Sequence, residues 1–361
     1  MPDQIDYRRH GLVDASSIAL ASAGFATIET NEISDAASEG NMPSLSGATA
    51  WLNSEPLTAA ALRGKVVLVD FWTYTCINWL RTLPYIRAWA ETYRDQGLVT
   101  LGIHTPEFPF EHDLENVRQA VKAMRIAYPV AVDSDYAVWN AFNNHFWPAL
   151  YLFDVEGQIR HHHFGEGDYA RSEIMIQRLL AEGGNSRISV GDDLVVGSVA
   201  GQGIEADADW SDLETPETYL GYERADHFAS PEGAALGVNF VYTAPSRLRR
   251  NHWALAGDWT LGPQAAAVNM ANGRIAYQFH SRDLHLVMGP ATRGSSARFK
   301  VRLDGQEPGA AHGSDIDEQG DGALTEQRTY QLIRQPQPID DRRFEIEFLD
   351  PGAQAFAFTF G

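Results

Sequence analysis

Cys76 is the single cysteine among 361 residues, so whatever sulfur chemistry the chain performs is that of one thiol. A lone thiolate can attack a disulfide or a peroxide, but it cannot close an internal disulfide. The residues around it run VVLVDFWTYTCINWLRTLP from Val66 to Pro84. Thr73 stands three residues before the cysteine, Asp70 six before, and Trp72 and Trp79 flank it. The Thr73 hydroxyl suits ordinary turn chemistry. Asp70 could accept a proton from Cys76 through water, or be a structural acid satisfied by backbone hydrogen bonds. Arg81 could lower the thiol pKa, although an exposed, solvated arginine is the expectation.

The elements that must position these groups follow from periodicity. Val66 to Trp72 is a β-branched and aromatic run that suits a strand covered on both faces. Thr73 to Thr75 form a polar turn. Leu80, Leu83, Ile86, Ala90 and Tyr93 then recur near helical spacing, which places Cys76 in the first helical turn and Pro84 at a bend. Unpaired N–H groups and the helix dipole would stabilise its thiolate. Trp51-Leu52 and Pro56-Leu57 begin the folded part. Further on, Gly97 to His104 reads as a strand, Glu115 to Ile126 as a helix, Tyr128 to Val132 as a strand and Tyr136 to Phe142 as a short helix. A hairpin spans Leu150 to Phe153 and Ile159 to Phe164 around Glu156-Gly157, and Ser172 to Ala181 closes with a helix. Residues 184–214 are rich in Gly, Ser, Asp and Glu and read as a linker. From Tyr219 onward, RIAYQFH, DLHLVMG, RFKVRLDG, RRFEIEFLD and AFAFTFG alternate between turn residues, the pattern of a β-sandwich.

VDFW with its cysteine six residues after Asp70, the helix proline Pro84, GLVTLGIHTPEF, and WPALYL with Pro148 together resemble thioredoxin-fold proteins of the TlpA and redoxin kind. The likeness is nearest to the C-terminal portion of DipZ-type proteins. Residues 1–42 mix small, polar and acidic residues without sustained periodicity and read as a flexible leader. The resemblance implies a hairpin-like lead at Trp51-Leu52 and Pro56-Leu57 into an α/β thioredoxin fold, a central mixed sheet flanked by helices, over 43–183. The linker and an all-β jelly-roll sandwich over 215–361, similar to carbohydrate-binding modules, would follow. One departure decides the mechanism. The family's CxxC is here Cys76-Ile77-Asn78-Trp79, so tryptophan replaces the resolving cysteine. By the resemblance, Cys76 could begin exchange, and resolution would need an external thiol: glutathione, a protein thiol or a second subunit. Peroxide is the other substrate considered, through a sulfenic acid. Thr73 takes the threonine place of the peroxiredoxin PxxxTxxC pattern, with Val69 where proline is expected. Asp70 takes the place of the buried acid that serves the resolving cysteine. Pro148 matches the cis-proline facing the active cysteine, and Trp72, Trp79 and Trp147 would form an aromatic rim that binds substrate or buries the sulfur.

The leading expectation is therefore a thiol-disulfide oxidoreductase with one redox cysteine and no cofactor. The alternative is a catalytically degenerate thioredoxin scaffold that recognises a protein or glycan. Forty-eight acidic against 28 basic side chains give a formal charge of −20, which argues against nucleic acid or anionic membrane as a partner. No apolar run reaches transmembrane length, so neither membrane insertion nor the membrane domain of many DipZ-type proteins is expected. The location expected is cytoplasmic, with export as the alternative because Arg8-Arg9 precede ASSIALASAGFA in a twin-arginine-like arrangement. Asp315, Asp317, Gln319 and Glu326 fall at calcium-loop spacing, against a plain acidic turn. His161-His162-His163 on a strand cannot all face one ion. Tyr219, Tyr222, Trp253 and Trp259 could stack on a sugar or belong to the core.

Overall fold

The computed structural model describes residues 40–361. Most of the segment read as a leader, with the Arg8-Arg9 pattern, lies outside the described residues. Gly40 to Met42 are already attached: Asn41 bridges to Gln158, and the Met42 N–H donates to the Gly157 carbonyl at 2.9 Å.

The first domain comprises β1 (Ala50–Leu52), β2 (Val66–Trp72), α1 (Ile77–Tyr93), β3 (Leu98–His104), α2 (Leu114–Ala123), β4 (Val130–Val132), α3 (Ala137–Ala141), β5 (Ala149–Phe153), β6 (Ile159–Phe164) and α4 (Tyr169–Glu182). Its sheet runs β1-β4-β3-β2-β5-β6. β2 is central, parallel to β3 and antiparallel to β5, and all seven of its residues are buried. That is why its sequence is continuously apolar rather than alternating. With β3 parallel to β4 and helices over the sheet, this is the mixed thioredoxin sheet. α1 runs unbroken through Pro84. The hairpin expected between Trp51-Leu52 and Pro56-Leu57 does not form. β1 instead pairs antiparallel with β4, and the Asn53 amide ties the following turn to the carbonyls of Ile126 and Tyr128 at 2.9 and 3.0 Å.

The second domain is wholly antiparallel: β7 (Thr218–Tyr219), β8 (Asn239–Tyr242), β9 (Trp253–Leu261), β10 (Ala266–Val268), β11 (Gly273–Phe279), β12 (Asp283–Pro290), β13 (Ala297–Leu303), β14 (Asp321–Leu324), β15 (Arg328–Arg334), β16 (Arg342–Phe348) and β17 (Ala353–Phe360). They curl into a sandwich-like sheet in the order β14-β13-β16-β11-β9-β10-β17-β12-β15, with β7 on β17 and β8 on β9. β13 alternates cleanly, burying Ala297, Phe299, Val301 and Leu303 between more accessible Arg298, Lys300 and Arg302. β12 does not alternate, since every one of its residues is buried.

The physical reason is that β12 and β17 face two cores. Leu284, Leu286, Met288 and Phe358 point into the sandwich, whereas Val287, Phe356 and Ala357 join the cluster that holds Trp79, Trp89, Phe108 and Phe110 of the first domain. One apolar core thus crosses the domain boundary. The segment read as a linker is bound against the first domain. Val195 and Val196 donate their N–H groups to Glu173 at 2.7 and 3.0 Å, and Arg87 pairs with Glu205 at 2.6 Å.

Candidate active site

Cys76 is the N-cap of α1, in extended conformation with φ −68° and ψ 112°. Its N–H donates to the Thr73 carbonyl at 3.3 Å, which closes the turn, and its own carbonyl accepts the Leu80 N–H at 2.9 Å to start the helix. The sulfur lies 3.8 Å from the carbonyl oxygen of Trp147, across a cis Trp147–Pro148 peptide. The residue as a whole is half-buried. Backbone N–H groups of Trp79 and Asn78 favour the thiolate as the helix terminus should, but they do not dominate. Burial and the carboxylates of Glu107 and Glu217 push the thiol well above its ordinary value of 9.0. The expectation of a thiolate stabilised by its helix is corrected in that direction.

The partner of Asp70 is Trp79. The acid is fully buried, and its Oδ2 accepts the indole Nε1–H at 2.9 Å, whereas backbone hydrogen bonds were the structural expectation. Burial raises the Asp70 pKa to about 7, partly offset by that hydrogen bond. Trp79 stacks on Trp72 with centroids 4.3 Å apart, and neither ring has accessible surface. Neither can touch a docked substrate in this conformation, so of the expected rim only Trp147 remains near the opening. Trp147 packs on Trp139 at 4.2 Å and donates its indole N–H to the Thr105 carbonyl at 3.1 Å. Thr73 is fully buried and supplies the turn carbonyl.

Arg81 is not solvated. It is 2% exposed and forks onto Glu166 at 2.7 and 2.8 Å. It also donates to Asn78 Oδ1 at 3.0 Å and to the Phe360 carbonyl at 3.2 Å. The residue that follows Trp79 by two positions therefore clasps the last strand of the second domain.

Three acidic residues complete the site without having been singled out from the sequence. Glu111, fully buried, accepts from the Thr75 hydroxyl at 2.6 Å and from the N–H groups of Glu107 and Phe108 at 2.6 and 2.9 Å, and burial raises it to about 7. Glu107 accepts from the Tyr219 hydroxyl at 2.6 Å and pairs with Arg224 at 2.9 Å. Glu217 accepts from the same hydroxyl at 3.0 Å. A signal for Glu107 was available, since it follows the carboxyl end of parallel β3 as Cys76 follows that of β2, and ligand sites of open α/β sheets lie at such ends. Nothing local marked Glu217, Arg224 or Thr329. The Thr329 hydroxyl donates to the Thr75 carbonyl at 2.7 Å, directly beside the cysteine.

Other candidates do not assemble. Asp315 accepts from Arg328 at 2.6 Å and from the Gln331 N–H at 2.8 Å, while Asp317 caps its own turn through the N–H groups of Gln319 and Asp321. Strand β14 then interrupts the stretch before Glu326, so no calcium loop wraps an ion, and no acidic or histidine cluster suited to a metal occurs among the described residues. His162 turns outward onto Phe164 while His163 approaches the Glu166 carbonyl. Trp253 and Trp259 are fully buried in the sandwich and cannot stack on a sugar; Tyr219 serves the cysteine site, and Tyr222 is exposed. No helix among the described residues is long and apolar enough to cross a membrane.

Residues 39–162 match the AhpC/TSA family, and residues 215–361 match the family described as thioredoxin like C-terminal domain. Protein DipZ of Mycobacterium tuberculosis is 36% identical over 297 residues, which cover 77% of this chain and 38% of DipZ. The chain thus spans well under half the length of that relative. Thiol-disulfide oxidoreductase YkuV of Bacillus subtilis is 33% identical over 141 residues, covering 39% of this chain and 95% of YkuV. A thioredoxin-like protein solved in solution in its oxidised form is 34% identical, with a TM-score of 0.37 over 39% of this chain and 95% of its own.

Proposed function

Because the chain belongs to the thioredoxin-like thiol-disulfide oxidoreductases of the DipZ type, we propose that Cys76 carries out monothiol exchange. The observation that carries this reading is the placement of Sγ at the α1 N-cap, 3.8 Å from the Trp147 carbonyl, on a residue that is only half-buried. The Cys76 thiolate attacks one sulfur of a disulfide RSSR. A Cys76–SR bond forms as the S–S bond breaks, and RS⁻ leaves with the electron pair. Trp79 has no sulfur to offer, so an external thiolate must attack the R sulfur of the mixed disulfide, releasing RSSR′ and restoring Cys76. A peroxide would be reduced by the same thiolate, its sulfur taking one oxygen as the O–O bond breaks, but the Thr73 hydroxyl is fully buried and cannot hold a peroxide oxygen, which favours disulfides.

Intact-mass measurement after incubation with hydroxyethyl disulfide tests the reading, with Cys76→Ser as the blank. The wild type gains one mercaptoethanol adduct, which an external thiol removes. Absence of any adduct in the folded protein, with labelling after unfolding, would transfer the chain to the second reading. In that reading the scaffold binds a protein or glycan without turnover, as favoured by the thiol's raised pKa and by Trp79 filling the resolving position. Export through the Arg8-Arg9 segment belongs to the proposal too. A reporter fused behind residues 1–39 tests it, since cytoplasmic retention of the reporter would return the chain to the cytoplasm.

A further inference from the structure

The turn that carries Cys76 is met by the second domain, whose Thr329 hydroxyl donates to the Thr75 carbonyl at 2.7 Å. β7 brings Tyr219 over the loop after β3, where its hydroxyl is shared by two carboxylates, Glu107 at 2.6 Å and Glu217 at 3.0 Å. The two are not equivalent. Glu107 is mostly enclosed and has a countercharge, Arg224, whose guanidinium lies 3.6 Å over the Tyr219 ring and 2.9 Å from the carboxylate. Glu217 is exposed at its surface and, among the described residues, makes no direct ion pair; its hydrogen bond is to a neutral phenol. Its packed side and the neighbouring Glu107 raise its pKa to about 7 against the pull of that phenol and of Arg224. The other cation near these groups, Arg81, is held by Glu166. The site is fixed in place rather than assembled on demand. Glu111 links the Thr75 hydroxyl to the Glu107 N–H, and Thr329 holds the Thr75 carbonyl.

Resting on the exchange reading of Cys76, we propose that Glu107, Tyr219 and Glu217 form a selectivity wall. It admits cationic and neutral thiols and disulfides to Cys76 and disfavours anionic ones, glutathione included. An ammonium group entering beside the sulfur meets two carboxylates, Glu107 and Glu217, that share the one guanidinium of Arg224. A carboxylate entering there meets the net negative charge that these two carboxylates leave after Arg224 is counted. The effect of both carboxylates on the thiol itself, which they raise, reports the same negative field at the sulfur. The selected partner is a disulfide or thiol with a lysine- or amine-bearing arm close to its sulfur. The second domain thereby contributes specificity residues to the first domain's chemistry.

The test compares mixed-disulfide formation at about pH 8 with cystamine, hydroxyethyl disulfide and dithiodiglycolate, each rate divided by that reagent's rate with mercaptoethanol. The expected order is cystamine, then hydroxyethyl disulfide, then dithiodiglycolate, with about tenfold between the ends at low salt, shrinking to about threefold near 0.5 M salt. Glu217→Gln is expected to flatten that order. A normalised dithiodiglycolate rate equal to or above that of cystamine, or an order untouched by Glu217→Gln, overturns the wall while leaving exchange at Cys76 standing. If no disulfide reacts, the exchange reading fails by itself. The wall is then judged on Cys76→Ser protein by NMR titration at Tyr219 and Glu217, where tighter binding of cystamine than of dithiodiglycolate upholds it and equal or weaker binding overturns it.

Discussion

The indole N–H of Trp79 donates to Asp70 at 2.9 Å, so the residue that replaces the resolving cysteine also supplies the hydrogen bond of the buried acid beneath it. The substitution at this position is built into the core rather than being a gap left by a lost thiol. Trp79→Phe keeps most of the volume and removes that donor. It should lower stability by about 1–3 kcal/mol. The loss should be greater at pH 8 than at pH 5, because the hydrogen bond lowers the Asp70 pKa and its removal raises the cost of the ionised acid further. Urea unfolding at the two pH values checks this, and an equal loss at both would count against it.

Asp70 itself should make the protein less stable as pH rises. Its folded pKa is raised to about 7 from 3.8, so the folded state binds more protons than the unfolded chain across that window. Stability from this group is full below about pH 4, falls through the window and is flat above about pH 7. Asp70→Asn keeps an acceptor for Trp79 and removes the titration. Relative to wild type, its stability should climb between about pH 4 and 8 by on the order of 2–4 kcal/mol. A difference that stays constant with pH would show that Asp70 does not titrate in that range.

Cys76 should label slowly at neutral pH. The iodoacetamide rate against pH, with Cys76→Ser as the blank, is expected to have its midpoint well above the ordinary thiol value of 9.0. Glu107→Gln and Glu217→Gln should each move that midpoint down, since each removes a charge that raises it. A wild-type midpoint below 9.0 would mean that the helix N–H groups outweigh burial and the two carboxylates.

Arg81→Ala should cost about 3–5 kcal/mol, because it leaves Glu166 enclosed without its partner and frees the Phe360 carbonyl. The Glu166 pKa, already raised by burial and held down by Arg81, would rise further. The loss should therefore be largest at alkaline pH and shrink as Glu166 protonates on acidification. The double variant Arg81→Met, Glu166→Gln should recover much of the stability. Thermal unfolding of the three proteins decides, and a double variant no better than Arg81→Ala would assign the loss to packing alone.

Much of the first domain could be read from the chain. Val66 to Trp72 is continuously apolar because both of its faces are covered, and the Cys76 turn, the α1 periodicity and Pro148 are local patterns. Boundaries slipped where tertiary contacts intervene. β1 was assigned to a hairpin because its partner, β4, lies some eighty residues away, with Ala50 opposite Val132. The second domain's alternation marked β13 and β16, while β12 is buried on both sides by a core shared between domains, which a single strand's sequence cannot distinguish from any other apolar run.

The sequence by itself determined the identity of the reacting atom, the absence of a second thiol and the scaffold that presents Cys76 at a helix start. These depend on residue type and short-range spacing. Only the tertiary structure decided the environment of that sulfur. Glu107, Glu217, Tyr219, Arg224 and Thr329 reach Cys76 and its turn because two sheets share one core. Electrostatics and burial depend on distance in space, so groups 31 to 254 positions away set the thiol's charge state and hold its turn.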